Sequence, residues 1–242
     1  MIERYTRPEM GHLWSIQNEW QTILNVEIAA CEAMAELGEI PAAAVENIKA
    51  NAKFDVARIN EIEKTTDHDI IAFLTNLEEN VGEDSKYIHK GLTSSDVKDT
   101  AYCVMMRDAA AIILNDLNAF RTVLRRRAEE FRHTPCIGRT HGIHAEPMTF
   151  GLKMLLWSAE IERDIERLTR AKEIVSVGKL SGAVGTYSNI DPRIEELTCK
   201  KLGITPVRLA TQVIQRDRHA EFVTTLAIIA GTMEKIATEI RN

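Results

Sequence analysis

Apolar residues recur at helical spacing along almost the whole chain, and no two segments alternate apolar and polar residues as paired strands would. Trp20, Leu24, Ile28 and Cys31 share one stripe within residues 10–37, and Gly38 followed by Pro41 stops that helix. A shorter helix follows Pro41. Thr65, Thr66 and Asp67 offer N-caps for another, ending near Gly82. These pieces predict a small helical N-terminal domain over residues 1–92.

Three longer patterns follow. One runs from Ser94-Ser95-Asp96 to about Arg132, with Ile113, Leu117, Phe120, Leu124, Ala128 and Phe131 as its stripe. The second opens at Pro147, a favoured first helical position, and carries Ile161, Ile165, Leu168, Ala171 and Val175. The third spaces Phe222, Leu226, Ile229, Met233, Ile236 and Ile240 as a coiled-coil seam. Helices this long bury their stripes against other long helices. The expected fold class is therefore all-α, with residues 93–242 forming part of a long-helix bundle. The third stripe is still in phase at Asn242 without a clear C-cap, which predicts truncation within a larger bundle; a complete three-helix protein is the alternative. Between the second and third helices, Gly178 to Pro192 reads as loop, and a short helix runs from Asp191 to Leu202.

Charge narrows the function classes. The formal net charge is −6 with both signs interspersed, which argues against a general nucleic-acid binder. Arg125-Arg126-Arg127 lies inside a helical pattern and reads as a solvated face. The N-terminus lacks the apolar core of a signal peptide, and the longest apolar runs, such as Ala109 to Leu114, are too short to cross a membrane. Cys31, Cys103, Cys136 and Cys199 are scattered without a CxxC pair, so free thiols and a cytoplasmic location are expected.

Four polar clusters carry the candidate chemistry, each at an expected helix end. Arg139, Thr140, His141 and His144 sit within Gly138–Pro147, a polar loop between two long helices. Histidine holds or gives a proton near neutral pH, so an acid–base site is one reading and a capping loop the other. A metal site is a weaker option, because His141 and His144 have no third ligand close in sequence. Thr65 to Asp69 puts His68 in the first turn of a helix, where the macrodipole favours bound anions; plain capping is the alternative. Thr93, Ser94 and Ser95 offer hydroxyls at the start of the longest helix, for carboxylate or phosphate oxygens or as a capping box with Asp96. Gln212, Arg216 and Arg218 head the third helix, where the arginines suit a dianionic ligand or a plain surface. Gly178-Lys179-Leu180 does not complete a phosphate loop. Antiparallel packing of long helices would gather such ends into one site.

GRTHGIHAEP (138–147), GLTSSDVKDT (91–100), SGAVGTYSNIDP (181–192) and TQVIQRDRHA (211–220) resemble the adenylosuccinate lyase family, within the fumarase/aspartase superfamily. The resemblance covers essentially the whole chain from Arg4-Tyr5. Other branches generally carry Gln where His144 stands and lack the His68-Asp69 pair. The resemblance implies an all-α, fumarase/aspartase-like fold in a homotetramer, with active sites built from three chains. It implies adenylosuccinate as small-molecule substrate, cleaved to AMP and fumarate, similar action on the succinyl-carboxamide intermediate of purine synthesis, and no metal or organic cofactor. His141 matches the general acid, and His68 a histidine near the phosphate and leaving group. Arg4 and Tyr5 match nucleotide-phosphate contacts, Thr93 and Ser94 succinyl-carboxylate contacts, and Gln212 a further contact. Thr140 lines the pocket, Asp67 and Asp69 beside His68 are expected substrate-binding residues, and His89 is a supporting group. Asp67 stands where the family often has Arg or Lys. The family's serine base, on a mobile loop with a Met-Pro-Lys motif, lies beyond residue 242, so this chain alone is expected to be inactive. A non-catalytic scaffold on the same fold and a lyase for another amino-succinate are the competing readings.

Overall fold

The computed structural model describes residues 2–242. After a 3-10 turn at Glu3–Tyr5, the helices are α1 (Pro8–Leu13), α2 (Ile16–Glu36), α3 (Ala42–Asn51), α4 (Val56–Thr66), α5 (Asp69–Val81) and α6 (Ser94–Glu130). A hairpin of β1 (Pro135–Thr140) and β2 (Ile143–Thr149) leads into α7 (Phe150–Val175). Then come β3 (Val177–Gly178), α8 (Pro192–Leu202), β4 (Thr205–Pro206) and α9 (Asp217–Arg241). Long helices with few, short strands place the chain in the expected all-α class.

The chain divides into two compact units, residues 1–108 with 175–216, and residues 109–174 with 217–242. The first buries one apolar cluster in which Trp20 stacks on Phe73, ring centroids 4.9 Å apart, with Ile23, Met34, Ile59, Leu77 and Leu180 around them. Residues 10–37 are not one helix. The chain breaks at Trp14, and Ser15 caps α2 by accepting the Asn18 N–H. Thr65 and Thr66 end α4 instead of starting a helix. Asp67 closes α4 in the left-handed region (φ 48°), and His68 is the cap of α5.

In the second unit, the expected loop at 138–147 is an antiparallel hairpin. His141 and Gly142, with φ of 53° and 74°, form its two-residue turn, the mirror-image type that matches strand twist. Pro147 pairs with Ile137 inside β2 and does not begin α7, whose first turn is capped by Thr149 Oγ1 accepting the Leu152 N–H. A two-stranded hairpin consists only of edges, so a residue without an N–H is tolerated there. On α9 the buried line is Phe222, Thr225, Ile229, Thr232 and Ile236. Ile240, the last member of the expected seam, is 71% exposed.

Candidate active site

The first unit gathers five of the expected site residues around the start of α6. His68 is held by its capping bond. Its Nδ1 accepts the Ile71 N–H at 3.3 Å, so the neutral ring carries its proton on Nε2. That Nε2 lies 3.4 Å from Ser94 Oγ. Asp69 Oδ1 also approaches Nδ1, at 3.7 Å. Asp69 is already engaged, however: Oδ1 accepts the Ile70 N–H and Oδ2 the Lys98 ammonium. We therefore take the cap as deciding the tautomer. Burial raises the Asp69 pKa, but the Lys98 hydrogen bond and charge outweigh it, and the net shift is downward. The Lys98 pair ties the start of α5 to the first turns of α6, a role that the sequence reading missed.

Thr93 precedes α6, and its hydroxyl accepts from Gln212 Nε2 at 3.4 Å. Its N–H donates to Asp96 Oδ2 at 2.9 Å, while the Asp96 N–H donates back to the Thr93 carbonyl. The capping-box reading thus holds for Asp96, and the Thr93 and Ser94 side chains remain turned to other partners. Gln212 is carried by a loop pinned from below. Asp99, one turn along α6, accepts the Ile214 N–H and both terminal nitrogens of Arg216, each at 2.9 Å. Arg216 is therefore paired with Asp99, and Arg218 donates to the Ile174 carbonyl.

The loop at 178–190 threads closely past both neighbours. A Cβ on Gly91 would lie 2.3 Å from the Asn189 carbonyl oxygen, and one on Gly185 2.2 Å from that of Ala210. Both residues also have left-handed φ, so two glycine requirements coincide. Buried Glu195 accepts the Leu180 N–H and the Tyr187 hydroxyl. His89 is likewise held from beneath. Its N–H and its Nδ1 both meet buried Glu27, at 3.0 and 2.6 Å. Burial lowers the His89 pKa, but the hydrogen bond and charge of Glu27, with the charge of Asp96, reverse this and the net shift is upward.

The remaining candidates each have their own setting. Arg4 and Tyr5 pair with each other on the N-terminal 3-10 turn, the guanidinium 4.6 Å from a ring that is 72% exposed. Asp67 is exposed on its left-handed residue. Thr140 and His141 lie on the exposed hairpin tip of the second unit. Among the described residues, no three His, Cys, Asp or Glu side chains gather to hold a metal ion, and no helix is long and apolar enough to cross a membrane. None of the four cysteines is in a disulfide.

His68 Nε2 thus stands beside the Ser94 hydroxyl at the start of a long helix, an arrangement that suits anionic ligands and proton transfer in general. Residues 3–242 match the family model described as Lyase, and the chain belongs to that family. It is 54% identical over 242 residues to adenylosuccinate lyase of Synechocystis sp., and 52% identical to that of Bacillus subtilis. All of this chain is covered in both cases, but it spans only 56% of either relative. Among solved structures it is similar to fumarate lyase from Mesorhizobium sp. BNC1, with TM-score 0.92 and 30% identity, covering 98% of this chain and 57% of that one. It is also similar to β-carboxy-cis,cis-muconate cycloisomerase from Acinetobacter calcoaceticus, with TM-score 0.90 and 27% identity, covering 97% and 57%. These likenesses carry the fumarase/aspartase-like fold.

Proposed function

We propose that the protein carrying this chain is an adenylosuccinate lyase. It cleaves a C–N bond by β-elimination, giving AMP and fumarate, and acts likewise on the succinyl-carboxamide intermediate. A base, by the family resemblance a serine on a mobile loop, first takes the proton next to a carboxylate. The electron pair delocalises into that carboxylate, and the C–N bond then breaks as the nitrogen takes a proton. Thr93 and Ser94, with the first N–H groups of α6, are the oriented donors for the succinyl carboxylates, where negative charge grows. Gln212 adds a further contact, and Asp69 orients the His68 segment. His68 presents Nε2–H toward the leaving group and phosphate side. His141, with Thr140 beside it, is the acid that protonates the departing nitrogen. Arg4 and Tyr5 serve the nucleotide phosphate, with Asp67 at its edge.

The observation that carries this reading is the 3.4 Å approach of His68 Nε2 to Ser94 Oγ at the start of a long helix. The experiment is steady-state fumarate release from adenylosuccinate by the protein at its natural length. His141→Asn should lower turnover by about 10²- to 10⁴-fold, the worth of one general acid. Wild-type rates retained in the variant would remove His141 from that role.

We further infer a cytoplasmic homotetramer. The second unit leaves Leu152, Leu155, Leu156, Val223, Ile228 and Ile240 exposed, apolar positions that a further copy would cover. An exposed His141 suits a site completed by another subunit. A scaffold without activity is the second reading; it gives no account of the His68 tautomer aimed at Ser94.

A further inference from the structure

Lys179 and Asp96 are both wholly buried, each side chain at 0% exposure, and they form an ion pair. A charge taken fully out of water is costly, and a buried pair of this kind is weak evidence of stabilisation. Its geometry says more. One carboxylate collects four donors: Lys179 Nζ and the Ser181 N–H on Oδ1, and the Thr93 and Gly182 N–H groups on Oδ2. Lys179 in turn donates to the Gly182 carbonyl at 2.9 Å, and its backbone N–H and C=O both engage Thr100 Oγ1. The glycine loop, Thr93 and the first turn of α6 therefore share one anchor.

We propose that Lys179 and Asp96 are positioning residues for the carboxylate-binding hydroxyls. The pair fixes where Thr93 begins α6, and so the direction in which Thr93 and Ser94 present their donors. This rests on the reading of Thr93 and Ser94 as succinyl contacts. The Lys179 ammonium balances the one buried charge that holds Thr93. Without it, Asp96 would draw in water or turn, and the Thr93 amide would lose its partner. The effect falls on binding of the dicarboxylate part, not on the nucleotide part.

The test compares Lys179→Met and Lys179→Arg in the protein at its natural length. Lys179→Met should raise the KM for adenylosuccinate and weaken competitive inhibition by fumarate, each by roughly tenfold, and leave AMP inhibition nearly unchanged. Lys179→Arg keeps the cation and should recover most of the loss. Amide exchange at Thr93, Ser181 and Gly182 should quicken together in the methionine variant. Unchanged fumarate inhibition in a folded Lys179→Met protein overturns the proposal, as does exchange that quickens at Ser181 and Gly182 alone. If that variant does not fold, wild-type exchange decides: a shared anchor requires the three amides to open in one event, and separate openings refute it. Wild-type protein that released no fumarate would sink the substrate reading, while the exchange result would still judge the anchor.

Discussion

His89, partly buried, pairs with buried Glu27, and the contribution of the pair depends on pH. The folded pKa of His89 lies above its ordinary value of 6.5, because Glu27 outweighs burial. A basic group raised in this way stabilises the fold fully below its unfolded pKa and loses that contribution as pH rises through the folded value. Denaturant unfolding of wild type and His89→Gln should therefore differ most near pH 6 and progressively less above about pH 6.5. A difference that grows with pH would mean that the ring is held neutral. Asp67 gives a second test at this scale. Its left-handed backbone suits Gly or Asn, and its side chain is exposed. Asp67→Asn should change stability by less than ~0.5 kcal/mol, and Asp67→Val should cost about 1–2 kcal/mol, read from thermal unfolding. The His68 tautomer was not legible in the sequence, because capping by a ring nitrogen depends on where α4 stops. The Thr65-Thr66-Asp67 run looks like a start signal, yet the left-handed residue falls at Asp67 and shifts the cap by one.

Elements with a strong apolar period were readable, and those without one were not. The Ile161, Leu168, Ala171 line of α7 follows from helical spacing, and all three residues are buried, while the start of α6 follows from the Ser94-Ser95-Asp96 run. The hairpin has no such period. Its strands are exposed or half-buried on both faces, so no alternation marks them. The one available signal was His141-Gly142 flanked by Ile137 and Ile143, a two-residue turn between β-branched positions. Of the expected α9 seam, Phe222, Ile229 and Ile236 are buried, whereas Thr225 and Thr232 take the buried places expected of Leu226 and Met233. A threonine with its hydroxyl satisfied buries as readily as a leucine, and Thr232 bonds Glu160. Glycine substitutions separate turn freedom from close approach. A Cβ at Gly142 meets open space, so Gly142→Ala should cost about 1 kcal/mol, the price of the left-handed backbone alone. Gly185→Ala adds a collision with the Ala210 carbonyl and should cost about 3 kcal/mol. Equal losses in thermal unfolding would show that the loop yields around the new methyl group.

At the scale of the first unit, the first turns of α6 hold the loops that surround them. Two aspartates one turn apart on α6 each hold a different loop, Asp96 the glycine loop and Asp99 the Gln212 loop. Neither connection was visible in the sequence, where Asp96 read only as a cap and Arg216 as a free cation. The proposed assembly is open to a direct check. Leu156→Glu, on an exposed apolar position of α7, should shift sedimentation toward smaller species without unfolding the chain. Unchanged sedimentation would place the subunit interface elsewhere. The central claim, that the start of α6 binds the succinyl dicarboxylate, is tested most directly by titrating fumarate into the isotopically labelled, assembled protein and following backbone amide resonances. The account predicts saturable shifts at Thr93, Ser94 and Ser95 that Ser94→Ala weakens. Saturable binding that leaves those amides unmoved would contradict it.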